Sequence, residues 1–463
     1  MKIAIIGSGI SGISVAKTFL EANYEVYLFD AGNLNSQTQY KKELSFLPKT
    51  KISPKYEHPL IKKGIEKFKK NYKVRLKNFF LASPLLPGGM SNFWGGGIEI
   101  PGHNYLKKNL YDKKILKEKK NLNNFLNLRN NIFEYYNDFF ELNFNKELLQ
   151  EKNEYINFRK LGICASQDKA NTIFNSKEKI KNLKSNNLFK YNPNIFIKNL
   201  KKQNGKFILI DSNNKKNNLE FDKVILCAGT IGSTLLVARI LNIKEDIRLY
   251  HTPSYKLIYF NPLLIFKKNI KKKYEHPLLQ INYKFKNKVF KGSIIHAKSL
   301  DNFFFGVKNI NFIFTWLKNF LYIGNFFLSP EFSNTYIKKT GKGFIIYSIL
   351  KKKLNSDLLN MKKNINNFFR KFYFTKVPFV NFSKFINGSD AHYTSTLYNL
   401  KINKKKILKK NCEINRFKNL HVLDGSVIAE GLLYPTYFTM LNCIYTSKQI
   451  IKNDKKNKNT NKY

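Results

Sequence analysis

Gly7, Ser8, Gly9, Ile10, Ser11 and Gly12 keep the G-x-G-x-x-G spacing, and Asp30 follows about 20 residues later. Those residue types can hold a pyrophosphate. Gly7 permits a tight turn, Gly9 lets phosphate reach the backbone without meeting a Cβ, and Gly12 lets the next helix pack closely. The helix's first N–H groups then point at the anion. Asp30 offers an acceptor for a ribose hydroxyl, which favours an adenosine dinucleotide without a 2′-phosphate. A second reactive cluster lies far downstream. His392 stands among small hydroxyl residues in GSDAHYTSTLYN (388–399), and Tyr434 precedes Pro435 and Thr436. A histidine titrates near pH ~6.5 and can take a proton from a hydroxyl group, while a tyrosine can hold an oxygen. A lone histidine is equally a satisfied structural residue, and residue type alone leaves that choice open.

The elements that must position these residues are legible in part. Lys2 to Ile6 is an apolar run suited to a buried parallel strand, and Glu25 to Phe29 forms a second one ending at Asp30. That context separates the glycine run from a ligand-free turn. Residues 83–101 (SPLLPGGMSNFWGGGIEIP) hold too much glycine for a regular helix or strand and predict a shaped loop. Gly89, Met90, Ser91, Asn92 and Trp94 there suit a backbone lying against a cofactor ring. Residues 105–151 read as helical, with Ile132, Phe133, Tyr136, Phe139 and Phe140 on one face. β-like runs at 195–197, 206–210 and 223–227 predict a three-stranded excursion that returns to the main sheet. The last run leads into CAGTIGST (227–234), with Ala228 and Gly229, and a helix over 235–241. A second strand, glycine turn and helix would bring another edge against the nucleotide, which moves the reading from NAD to FAD. Runs at 255–260, 279–285 and 289–296 predict an antiparallel sheet, and the aromatic stretch 303–328 predicts capping or amphipathic helices. Such helices could line a substrate entrance or rest on a membrane surface; the charged and amide residues within them exclude a span. Residues 419–451 read as strand, Asp424-Gly425 turn, loop and long helix, with Pro435 near the helix start, where the positive dipole end would face an anionic reduced flavin.

Taken together, these motifs resemble the glucose–methanol–choline (GMC) family of FAD-dependent oxidoreductases. GSGISG with Asp30 resembles the family's adenosine and pyrophosphate site, GGMSNFWGG its flavin-attachment loop, and CAGTIGST its second glycine turn. His392 to Thr396 (HYTST) is similar to the HxxGT motif that carries the catalytic histidine, and LHVLDGSV with YPTYFT resembles the closing strand and helix. The resemblance implies an α/β fold: a Rossmann-like FAD domain of the two-dinucleotide-binding-fold type, with an interleaved α+β substrate domain on an antiparallel sheet. It places the FAD domain at 1–104, 194–250 and 386–452, the cap at 105–193 and 251–385, and a disordered tail at 453–463. It also implies oxidation of a CH–OH group, with His392 taking the hydroxyl proton while hydride passes to flavin N5. Phe93 stands where pyranose oxidase-like members carry a flavin-linked histidine, so the FAD would be noncovalent. Tyr434 replaces the family's second His or Asn, and Ser395 replaces the glycine of HxxGT. The motifs sit nearest to members of surface-polysaccharide pathways, which implies a sugar or related alcohol as substrate, with an unassigned electron acceptor.

Composition sets the outer limits. With 463 residues, 43% of them hydrophobic, the chain can bury a large core. The formal charge of +51 invites an anionic partner, yet the lysines are spread along the chain among Asn, Ile and Phe, as codon drift towards A/T would produce. No nucleic-acid-binding signature accompanies them. Cys164, Cys227, Cys412 and Cys443 lack metal-site or disulfide spacing. No secretory signal precedes the first strand, so a cytoplasmic protein is expected. Two other readings stay open: a flavoenzyme isomerising a sugar without net oxidation, and a catalytically impaired basic protein binding anionic glycan or nucleic acid.

Overall fold

The computed structural model describes residues 1–32, 44–45, 59–94, 97–98, 156–160, 162–163, 174–263, 279–285, 288–297, 303–304, 320–341, 343–349, 355–377, 381–430, 432 and 434–460. Cys164 and the helical face at Ile132, Phe133, Tyr136, Phe139 and Phe140 lie outside them.

Four apolar runs (IAII, VYLF, KVIL and LHV) are buried throughout, the pattern of parallel strands covered on both faces. They belong to a five-stranded parallel sheet ordered Leu420–Val422, Lys223–Leu226, Lys2–Ile6 (β1), Glu25–Phe29 (β2), Phe189–Asn192. The helix Ile10–Leu20 (α1) follows β1 and packs against the C-terminal helix Thr436–Thr460. This is a Rossmann-like sheet with β1 at its centre.

Two departures from the sequence reading concern this sheet. Phe189–Asn192 lies in a stretch assigned to the cap; it is a short edge strand whose two polar residues hide its period. The excursion is a separate antiparallel meander of Ile197–Gln203, Lys206–Asp211 and Lys216–Phe221, and Lys223–Leu226 is the return strand rather than its third member. The helix expected from Leu235 begins earlier, at Gly229 and runs to Ile240. Only Gly229, at φ +78°, needs turn geometry, and Ser233 accepts the Ala228 N–H at 3.1 Å to close the first turn.

The second large sheet is antiparallel and six-stranded, ordered Thr375–Lys376, Ser254–Phe260, Leu321–Phe327, Lys288–His296, Leu279–Phe285, Ile156–Lys160. The aromatic stretch expected to be helical therefore supplies a central strand: LYIGNFF is rich in β-formers and is paired on both sides. One face of the sheet is apolar and is covered by the helix Asn355–Arg370 through Met361, Ile365, Phe368 and Phe369, with Tyr259 stacked on Phe369 at 4.3 Å. The other face carries Phe327, Asn325, Lys256, Lys291, Ser293 and Asn282, brought together by register. A third, mixed sheet unites Ile247–Leu249, Thr335–Thr340, Gly343–Ser348 and Val74–Lys77; its middle pair is a hairpin, while the two outer pairings are too distant in sequence to be read from it.

The C-terminal helix continues past Asn453, where a tail was expected. Asp454 explains the difference: it reaches the buried ammonium of Lys223 at 3.4 Å and accepts from the Tyr24 hydroxyl at 3.3 Å. No described helix is long and apolar enough to cross a membrane.

Candidate active site

At the C-terminal end of β1 the chain turns at Gly7, whose φ of +104° and whose closeness to the Cys227 carbonyl leave no place for a Cβ. Gly12 sits directly over the Gly7 carbonyl, so α1 can pack only with glycine there. Gly9 differs. Its φ of −64° suits any residue, and a Cβ on it would meet nothing within 4 Å. The open space lies at the helix N-terminus, where backbone N–H groups lack intrahelical partners.

Asp30 is buried beside this turn. Its Oδ2 accepts from Ser8 N at 2.8 Å and Ser8 Oγ at 2.5 Å, and its Oδ1 accepts from Gly32 N at 2.6 Å. Burial pushes its pKa up, and those hydrogen bonds oppose the shift. Ser8 Oγ in turn accepts from Gly88 N at 2.9 Å, which ties the second glycine loop to the first.

That second loop forms a single 3₁₀ turn, Gly89–Asn92, entered through Gly88 at φ +83°. Gly89, Met90 and Ser91 line a cleft of about 280 Å³. Asn92 and Trp94 do not line it. Asn92 donates to the carbonyls of Pro87 (2.9 Å) and Gly89 (2.8 Å), and Trp94 Nε1 donates to the Phe174 carbonyl at 2.8 Å. These two residues brace the loop. Phe93 is buried in an apolar cluster with Ile61, Ala82 and Leu86.

The same cleft is lined by Gly7, Ser8, Gly9, Ile10, Ser11, Asp30, Ala228, Gly229, Asp424, Gly425, Pro435 and Thr436. Six separate chain segments thus converge on one space. Gly12 stays behind it, against the strand. Asp424 is held in the cleft lining by hydrogen bonds: Ser233 Oγ donates to Oδ2 at 2.5 Å, and Ser426 N and Oγ donate to Oδ1 at 2.9 and 2.6 Å. Burial raises its pKa against those bonds.

Beside the cleft stand His392 and Tyr434, with ring centroids 5.4 Å apart and Phe327 5.1 and 5.7 Å from them respectively. Their chain neighbours Ala391, Tyr393, Pro435 and Thr436 line the cleft itself. Burial pushes the Tyr434 phenol up to about 12, so it is a hydrogen-bonding phenol at neutral pH. Ser395, in the HYTST segment, holds a left-handed φ of +66° while its N–H donates to the Gly425 carbonyl at 2.9 Å.

Behind His392 lies a polar group that sequence reasoning missed. His392 Nδ1 is 2.9 Å from Thr252 Oγ1, and Thr252 Oγ1 donates to Asp390 Oδ2 at 3.1 Å. Asp390 Oδ2 also accepts from the backbone N–H groups of Thr252 (3.0 Å) and His392 (3.1 Å), and its Oδ1 lies 3.0 Å from His251 Nδ1. His251 Nε2 continues to Thr335 Oγ1 at 3.1 Å, and Thr335 to Ser348 at 2.7 Å. Burial works to raise the Asp390 pKa, but the charge and hydrogen bond of His251 and the charge of His392 outweigh it, holding the carboxyl at about 2. The Asp-x-His spacing of Asp390 and His392 is a local signal for such a turn; the His251-Thr252 partner has none.

No protein-family description and no curated protein matches this sequence. Among solved structures the chain is similar to pyridoxine 4-oxidase from Mesorbium loti, with a TM-score of 0.62 and 11% sequence identity over 97% of this chain and 98% of that one. The likeness is one of fold, and it spans both the parallel and the antiparallel sheets.

Proposed function

We propose that this chain is a GMC-type oxidoreductase that binds FAD noncovalently and oxidises a CH–OH group of a sugar or related small alcohol. The observation that carries the reading is the meeting of His392 and Tyr434 beside a cleft that is also lined by the open glycine turn at Gly9. A cradle open where phosphate would lie, lined by glycine turns from three segments, fits a dinucleotide. Gly7 to Gly12 would hold the pyrophosphate, Asp30 the ribose, and Gly89 to Ser91, Ala228, Gly229, Asp424, Gly425, Pro435 and Thr436 the flavin end. Asn92 and Trp94 would act by bracing the loop. When bound, the flavin supplies the hydride acceptor at N5.

The protein's own part is proton handling and orientation. His392 takes the hydroxyl proton, and Tyr434, protonated at neutral pH, steadies the oxygen. Phe327 packs its ring against both. Ser293, Asn325, Lys256 and Lys291 on the same sheet face as Phe327 supply polar groups of the kind a hydroxylated substrate needs. The body built around the parallel sheet, with Phe189–Asn192 and the C-terminal helix Thr436–Thr460 included, would carry the cofactor, and the antiparallel sheet the substrate. The test is anaerobic absorption spectroscopy of protein reconstituted with FAD while free, acidic and nucleotide-linked sugars are added. Bleaching by one of them, lost in His392→Ala, is the expected result; bound flavin that bleaches with none of them refutes the sugar oxidation.

A further inference from the structure

We propose that Thr252, gripped by Asp390, is a positioning residue that fixes His392 in the tautomer carrying its proton on Nδ1, so that Nε2 keeps the lone pair. Its catalytic meaning rests on the function proposed above; the tautomer itself does not.

The available protons decide the tautomer. Asp390 is enclosed by donors: the N–H groups of Thr252 and His392, Thr252 Oγ1 and His251 Nδ1, all at 3.0 to 3.1 Å. Backbone N–H groups can only donate, so the carboxylate accepts from every side. Thr252 has one hydroxyl proton. It can go to Asp390 or to His392 Nδ1, and of these two acceptors only the Asp390 carboxylate is ionised at neutral pH. A hydrogen bond to an ionised acceptor is roughly twice as strong as a neutral one, so the proton points at Asp390. Thr252 Oγ1 then offers only lone pairs to His392 Nδ1, 2.9 Å away, and Nδ1 must be the donor. The opposite tautomer would require Thr252 to give up its charge-assisted bond to Asp390 in exchange for a neutral one to Nδ1.

The grip is rigid. His251 and Thr252 are both fully buried at the entrance to the strand Ser254–Phe260, and His251 is tied through Thr335 to Ser348 on a neighbouring sheet. A base poised this way needs no tautomer change before taking a proton, the same service that an oriented carboxylate gives a catalytic imidazole.

The tautomer can be read without cofactor or substrate by long-range ¹H–¹⁵N NMR of histidine-labelled protein at pH 8, with His392→Gln identifying the signal. In the wild type, Nδ1 is expected in the protonated position and Nε2 in the lone-pair position. Thr252→Ser should preserve this pattern. Thr252→Val should abolish it while the other histidine signals report an intact fold. A wild-type His392 carrying its proton on Nε2 overturns the proposal, whether or not Thr252→Val folds, and so does a pattern unchanged in folded Thr252→Val. In FAD-loaded protein, Thr252→Val is expected to slow sugar-dependent flavin reduction on the order of 10²-fold, with recovery in Thr252→Ser. A wild type that reduces no flavin would remove the oxidoreductase reading and leave the tautomer result standing.

Discussion

Individual residues divide into those that shape the cleft and those that act in it, and substitutions can separate the two. Gly7→Ala forces a side chain into left-handed backbone and into the Cys227 carbonyl, and should cost about 3 kcal/mol or more in chemical denaturation. Gly9→Ala meets open space and should stay within about 1 kcal/mol of wild type. Ser395→Gly relieves the left-handed φ of +66° and should stabilise the protein by about 0.5–1 kcal/mol. Asp390 gives a pH signature. Its folded pKa of about 2 lies below the ordinary 3.8, so its contribution is present above pH 4 and is lost as pH falls towards 2. Asp390→Asn should therefore cost about 2 kcal/mol at pH 7, and the gap to wild type should close across that acid window. Among these residues the glycines and His392 were legible because their spacing is local. Thr252 was not, because it meets His392 across 140 positions of sequence.

Among the elements, the C-terminal helix shows how one ion pair extends a fold. Lys223 opens a central strand with a side chain only 2% exposed, and Asp454 is the carboxylate that reaches it. Asp454→Ala should destabilise the protein by about 3 kcal/mol, since it strands a buried ammonium whose remaining partner is Asn419 at 3.1 Å. Thermal denaturation of Asp454→Asn, which keeps the side chain's size and loses its charge, should show most of the same loss. Strand positions were readable where apolar residues cluster, as in β1, β2 and 223–226, or where they alternate strictly with polar ones, as in 279–285. They were obscured where pairing rather than composition makes the strand, as in Phe189–Asn192 and the Asn- and Lys-rich Lys216–Phe221. The aromatic strand Leu321–Phe327 was misread as helix because its alternation is hidden by apolar residues on both faces.

At the scale of the whole molecule, a formal charge of +51 repels itself in the compact state. Raising salt from 0.05 to about 0.5 M should therefore raise the denaturation midpoint, in contrast to a protein held by surface ion pairs. His421 adds an acid sensitivity of its own: burial, with Lys223 nearby, lowers its pKa to about 4. Its folded value lies below the unfolded one, so stability should fall as pH drops from about 6.5 to about 4, and His421→Gln should flatten that slope. The two-sheet architecture was legible in local motifs, while the mixed sheet that locks Val74–Lys77 to Gly343–Ser348 joins segments no local pattern connects. We expect the cleft to hold a flavin dinucleotide at Gly9. The most direct test is equilibrium titration of FAD into the purified wild type and Gly9→Val, followed by flavin fluorescence. Saturable binding by the wild type, weakened at least tenfold in a folded Gly9→Val, is the predicted result; no saturable binding by the wild type, or equal binding by both, would contradict it.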